Sequence, residues 1–264
     1  LVFSPDSQYL PSASEDGRVK IWERAQDAHT VAVLEGDRTA STGCAWSPDG
    51  ALITAVHRTG LVELWDAHTF QRLLVLDKLK ATLCLFYSSI AFLPSSRWLV
   101  WNTYCGWGVW DVPSGTFNTL EAPNQDSQPY IHQYDPRSPR LAISYSDRGS
   151  RIWNVETREA LVLAGAHSGN VLAMEFSADG RLVLSASHDR TVKVWDAHTG
   201  AMLVSLEGHE SAVGAACFSP CGKYAASASY DKTVKLWGIS EGSCLATLSG
   251  HDSRVGCVAF TPDG

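Results

Sequence analysis

A phrase ending in tryptophan recurs along this chain: DGRVKIW (16–22), TGLVELWD (59–66), YCGWGVWD (104–111), DRGSRIWN (147–154), DRTVKVWD (189–196) and DKTVKLW (231–237). The steps between Trp22, Trp65, Trp110, Trp153, Trp195 and Trp237 are 43, 45, 43, 42 and 42 residues. A second anchor, an aromatic usually followed by a Ser-Pro-Asp-Gly turn, keeps nearly the same step at Phe3, Trp46, Phe92, Tyr134, Phe176, Phe218 and Phe260. A fixed period of this length marks a repeat architecture, in which each unit completes its core only against a neighbour. Such arrays mostly present surfaces, so the period favours binding over catalysis.

Within one period the grammar is strand and turn. Residues 171–209 read VLAMEFS, a turn at Ala-Asp-Gly, RLVLSAS, a turn at His-Asp-Arg, TVKVWD, a turn at Ala-His-Thr-Gly, and AMLVSLE. Short apolar runs bounded by Gly, Asp and Pro predict a four-stranded antiparallel meander. One such sheet cannot hide both faces from water, so successive sheets must cover each other.

The segment LEGHESAVGAACFSPCGKYAASASYDKTVKLW (206–237) carries Gly-His, Phe-Ser-Pro, Ser-x-Ser-x-Asp and the terminal Trp in one order. In these features the chain resembles the WD40 repeat family. The repeats ending at Trp195 and Trp237 fit best, and those ending at Trp65, Trp110 and Trp153 depart from the pattern. The resemblance implies an all-β propeller without a cofactor, used as a rigid platform for protein assembly. It divides the chain into a truncated repeat at 1–22, degenerate repeats at 36–66 and 79–111, a partial one at 124–154, repeats at 165–196 and 207–237, and a truncated one at 249–264. About six blades are expected. The chain opens and closes at the same phase of a repeat, so a seven-bladed or longer array is expected, its ring drawing on further repeats of the same chain. The late repeats also resemble fungal-type regulatory arrays, in which a propeller senses a ligand and controls an attached effector domain.

The net charge of −7 is spread along the 264 residues, which argues against phosphate-backbone binding. Neither nucleic acid nor membrane is expected as a partner. The seven cysteines fit no disulfide framework or zinc pattern and read as reduced apolar fillers; no metal site is expected. No apolar run reaches the length of a membrane span. A cytoplasmic setting is expected, with the nucleus as the alternative.

His209, Ser227 or Ser229, Asp231 and Trp237 recur as His167, Ser185 or Ser187, Asp189 and Trp195. A hydrolase triad would be a single set in a cleft with an oxyanion hole. Repetition argues instead for a structural polar set, and the family implies that His and Asp bond through a serine to the indole N–H. No catalytic residue is assigned. An enzyme using the central channel is the alternative, and inner strands such as VGAACFS and VLAMEFS offer almost no ionisable groups for it.

The repeat decays between 36 and 130. Thr59 and Tyr104 stand where the turn Asp belongs, and Trp98, Trp101, Trp107 and Trp110 crowd into thirteen residues. Trp101 fills a slot held by Ala13, Ala186 and Ala228, so either a neighbour makes room or the ring stands exposed as a binding hot spot. The family implies partner docking where the second turns and the strand entries meet. Carried over by position, the candidates are Glu15, Arg58, Ser146, His188 and Tyr230 from the turns, with Tyr130, Asn170, Leu172 and Arg254 from the entries. Their mix of Tyr, Arg, His and Leu favours a peptide or protein loop with some acidic character.

Overall fold

The computed structural model describes residues 3–24, 29–36, 39–76, 90–103, 106–121, 129–146, 149–165 and 167–264. Tyr104, Asp147, Cys84 and Cys105 lie outside them, as does the side chain of Tyr130. All regular structure among these residues is β. The chain forms two compact units, Leu1–Glu121 and Ala122–Gly264.

In the first unit, β1 (Tyr9–Ala13), β2 (Arg18–Glu23) and β3 (Thr30–Glu35) make a three-stranded sheet. Two four-stranded sheets follow: β4 (Ser41–Trp46), β5 (Leu52–His57), β6 (Val62–Asp66) and β7 (Arg72–Leu76), then β8 (Ile90–Phe92), β9 (Trp98–Thr103), β10 (Gly106–Asp111) and β11 (Thr116–Glu121). The second unit has three four-stranded sheets. They are β12 (Pro129–Tyr134), β13 (Arg140–Tyr145), β14 (Ser150–Asn154) and β15 (Ala160–Val162); β16 (Val171–Phe176), β17 (Leu182–Ser187), β18 (Val192–Asp196) and β19 (Met202–Leu206); and β20 (Val213–Phe218), β21 (Tyr224–Ser229), β22 (Val234–Gly238) and β23 (Ser243–Leu248). Every sheet is an antiparallel meander in chain order, as the strand-and-turn grammar requires.

Side-chain bonds close the first turn in two of the four-stranded sheets. Ser177 Oγ donates to Asp179 Oδ1 at 2.6 Å, and Arg181 N and Leu182 N donate back to Asp179 and Ser177 at 3.1 and 3.0 Å. Ser47 and Asp49 repeat this arrangement. A side chain that bonds the backbone two residues on stabilises such a turn locally, before any sheet contact is made.

Apolar side chains then fill the space between successive sheets. Val56, Val62, Leu64, Ile90, Phe92, Leu99 and Trp101 form one core in the first unit; Leu184, Val192, Val194, Leu206, Val213 and Phe218 form the corresponding core in the second. The four crowded tryptophans belong to this interior. Trp98, Trp101, Trp107 and Trp110 are 7%, 0%, 1% and 1% exposed, so the hot-spot reading of that stretch is overturned. The physical reason is Gly108, the cross-strand partner of Trp101. A Cβ there would sit 2.5 Å from Trp101 Cε2. The missing side chain opens the place that the ring fills, and Phe117 stacks on it at 5.5 Å.

Gly108→Ala should therefore destabilise the protein by about 1–3 kcal/mol through overpacking. Gly256→Ala, where a Cβ meets nothing within 4 Å, should be close to neutral. Urea unfolding of the two variants checks this, and equal effects would contradict the packing described.

Candidate partner-binding surface

The surface rests on a polar relay inside the last two sheets. Trp195 Nε1 donates to Ser185 Oγ at 2.9 Å, Ser185 Oγ faces His167 Nε2 at 2.8 Å, and His167 Nδ1 faces Asp189 Oδ2 at 2.8 Å. Trp237, Ser227, His209 and Asp231 repeat the set at 2.8, 2.8 and 2.6 Å. A neutral imidazole satisfies every link: the indole N–H donates to serine, the serine hydroxyl to Nε2, and Nδ1–H to the carboxylate. Burial holds both histidines below their ordinary pKa, against the pull of their aspartates. Burial alone would raise Asp189 and Asp231, yet hydrogen bonds from Thr191 and Thr233 and from the histidines hold both below the usual carboxylate range.

Ser187 and Ser229 do a different job from Ser185 and Ser227. Their hydroxyls accept from Asp189 N and Asp231 N at 3.1 Å and so close the second turns. All four serines are 0–1% exposed, which puts their oxygens out of reach of a substrate.

Each turn is also tied to the strand entry beside it. His188 N donates to Asn170 O at 2.9 Å, Tyr230 N to Ala212 O at 2.8 Å and Arg58 N to Ala40 O at 2.8 Å. The residue before the turn Asp is thereby held at the surface while the Asp itself points inward. Leu172 lies at a bulge in the pairing of β16 with β17, where the ladder steps from Val171 to Ala173, and Tyr130 lies at the matching step in β12. Such bulges redirect a side chain at a sheet edge.

In the second unit the structure brings three candidates into one row. Arg254 lies over the Tyr230 ring at 5.4 Å, and Tyr230 meets His188 edge to face at 6.4 Å. Gly214 leaves room for Tyr230, since a Cβ there would come within 2.9 Å of its Cε1. Asn170 joins the row through its carbonyl; Ser146 is exposed and Leu172 half-buried. In the first unit Arg58 and Glu15, both exposed, approach each other at 3.6 Å.

The other sheets treat their tryptophans differently. Trp22 keeps the serine link, to Ser12 at 2.8 Å, whereas Trp153 donates to Tyr145 OH at 2.9 Å. Trp101 pairs with Gly108, two residues before Trp110, and so stands where Ser185 pairs with Lys193; the buried Trp110 indole N–H has no hydrogen-bond partner among the described residues. In the β4–β7 sheet a buried set that the sequence reading missed appears: His57 Nε2 to Glu63 Oε2 at 2.8 Å and Arg72 Nη1 to Glu63 Oε1 at 2.9 Å. Its signal was a pair of simultaneous departures, His57 in the slot of Ser187 and Ser229, and Glu63 in that of Lys193 and Lys235.

The cysteine reading needs correction. Cys217 is buried and Cys44 half-buried, both thiols pushed up to about 11 by burial, whereas Cys221, Cys244 and Cys257 are exposed. Cys221 replaces the turn aspartate and so stays at the surface, with Ser219 Oγ 3.3 Å from its sulfur. Among the described residues no group of three or more His, Cys, Asp or Glu has metal-binding geometry. No helix among them is long and apolar enough to cross a membrane.

The family profile described as WD domain, G-beta repeat matches residues 1–23, 28–66, 160–196, 200–238 and 242–264. The chain belongs to the WD40 family. The repeat ending at Trp65 is matched although it has lost the turn aspartate. Bos taurus Transducin beta-like protein 3 is 35% identical over 175 residues, 65% of this chain and 21% of the relative. Periodic tryptophan protein 2 homolog of Dictyostelium discoideum is 24% identical over 189 residues, 69% of this chain and 20% of the relative. Serine-threonine kinase receptor-associated protein of Gallus gallus is 26% identical over 71% of this chain and 51% of its own length. The chain thus spans about a fifth of the length of the first two relatives.

Asp189→Ala and Asp231→Ala should each cost about 1–3 kcal/mol, because each leaves a buried histidine N–H without its acceptor. Thr59→Ala, in a sheet without this relay, should cost much less. The two histidine relays should also weaken in acid. Their folded pKa lies below the unfolded value of 6.5, so their contribution is present above that pH and is lost as pH falls through the folded value. Chemical unfolding between neutral pH and pH 5 measures both effects, and equal losses at all three positions would contradict the relay's role.

Proposed function

We propose that this WD40 segment is a non-catalytic scaffold that docks a peptide or protein loop on the face formed by its second turns and strand entries. The observation that carries this reading is the row His188, Tyr230 and Arg254. The exposed His188 ring, the half-buried Tyr230 ring and the exposed Arg254 guanidinium lie in continuous contact, and His188 and Tyr230 stand on the turns that the relays fix. Tyr and Arg dominate interface hot spots because they combine apolar area with directed hydrogen bonding at modest entropic cost. Arg254 and the solvent-facing edge of His188 favour an acidic or carbonyl-rich segment, while the half-buried Leu172 offers apolar contact nearby.

Membership of the WD40 family supports a role in protein interaction in general, and the name of the Gallus gallus relative describes it as receptor-associated. The buried serines of the two His-Ser-Asp sets support reading those sets as framework. The five described cysteines are free thiols, which fits a reducing compartment.

The double variant Tyr230→Ala with Arg254→Ala should weaken binding of the protein's partner at least about tenfold, with folding unchanged, since each hot-spot truncation costs about 1–2 kcal/mol or more. Lys223→Ala, at an exposed first turn of the last sheet, should leave it unchanged. Affinity measured on the full chain with a partner captured by proximity labelling tests the assignment. Intact binding in the double variant would overturn it.

A further inference from the structure

The β4–β7 sheet has lost all three polar members of the relay. Asp37, Ala55 and Thr59 stand in the slots of the loop histidine, the strand serine and the turn aspartate. The replacement set obeys a different proton rule. His57 Nε2 lies 2.8 Å from Glu63 Oε2, and His57 Nδ1 lies 2.9 Å from the carbonyl oxygen of Thr39. A carbonyl only accepts, and an ionised carboxylate only accepts, so a neutral imidazole with one N–H would face one of them lone pair to lone pair. Arg72 Nη1 bonds the other carboxylate oxygen at 2.9 Å, so this carboxylate already has a guanidinium as partner. The side chains of His57 and Glu63 are 1% and 0% exposed, so water does not relieve a mismatch.

We propose that His57 is held doubly protonated in the folded protein, so that a cation–anion–cation clasp closes this sheet and makes it looser as pH rises. Glu63 on β6 and Arg72 on β7 are the described charged groups that bond within the clasp. Next to it along the chain, Arg58 pairs with Glu15 in an exposed, water-screened contact. The clasp ties β5, β6 and β7 to the loop before β4, which also carries the backbone bond from Arg58 N to Ala40 O. Loosening it therefore frees the Arg58 turn.

The pH dependence has the opposite sign to that of the His167 and His209 relays. A histidine whose folded pKa is raised contributes stability that is full below the unfolded value of about 6.5 and is lost as pH rises through the folded value. In that window the folded sheet holds one proton more than the unfolded one, so its opening constant grows by up to about tenfold per pH unit. The neutral relays lose stability in acid. One chain thus carries sheets tuned to opposite sides of neutrality.

The test is ring-nitrogen NMR of histidine-labelled full-length chain at pH 7.5, with His57 assigned through His57→Gln. Both His57 nitrogens are expected at imidazolium positions, while His167 and His209 each show one bare nitrogen. A bare nitrogen on His57 would overturn the proposal. Amide exchange of β5 and β6 in the wild-type chain, corrected for intrinsic rate, gives a second readout that requires no variant. Protection should fall between pH 7 and 9 while that of β17 and β21 holds, and a flat profile in β5 and β6 would equally overturn it. In Glu63→Gln, where the amide replaces the anion, a bare nitrogen should appear on His57; an unchanged imidazolium would show that Glu63 does not hold the charge.

Discussion

A large indole on the third strand of every four-stranded sheet, and on β2 of the three-stranded one, has to be covered on its faces and satisfied at its N–H. A buried donor left unpaired costs about 1–3 kcal/mol, a sizeable part of what a small β-sheet gains on folding. In the last two sheets one serine oxygen takes the N–H of Trp195 or Trp237, and the serine hydroxyl is turned in turn toward a histidine. That link carries outward through His167 or His209 to an aspartate in the second turn. Two loops are thereby fixed to one strand. His188 and Tyr230 stand on those second turns, with Arg254 laid over Tyr230, so where two of the three side chains are offered to a partner follows from how a buried tryptophan is satisfied.

Where the relay is gone, the sheets are held in three other ways. Tyr145 reaches Trp153 with its phenol and needs no histidine. The β4–β7 sheet substitutes an ionic clasp for a neutral relay, which trades a set that weakens in acid for one that weakens in alkali. In the β8–β11 sheet ring packing takes over: Trp101, Trp107 and Trp110 are buried together, and Gly108 leaves the space that Trp101 needs. These sheets differ in chemistry while keeping the same strand order, because the meander is set by its turns and the clasp only reinforces it.

The spacing of the tryptophans and aromatic anchors was enough to place strands and turns, because Ser177 with Asp179 and Ser47 with Asp49 build their turns from local bonds alone. The sequence also pointed to His188 and Tyr230, which share one repeat phase at the second turns, and to Arg254, which belongs to the strand entries beside them. It left open which serine of each pair serves the tryptophan. Ser185 and Ser187 alternate by two and share a face, and only the three-dimensional path of the loop histidine separates them. The fate of the crowded tryptophans depended on the cross-strand register of Gly108 with Trp101, which a single strand's pattern does not contain. His57, Glu63 and Arg72 lie on three different strands, and their convergence needs two registers at once. Repeat phase is read along the chain, whereas pairing across strands has to be seen.

The account turns on the buried relay acting as a unit that joins tryptophan to turn. A double-mutant cycle between Trp237→Phe and Asp231→Ala, at opposite ends of one relay and measured by equilibrium unfolding, tests this most directly. The account predicts a coupling of about 0.5–3 kcal/mol, as for members of one hydrogen-bond network. Strictly additive losses would contradict it, since they would mean that the indole and the turn are held independently.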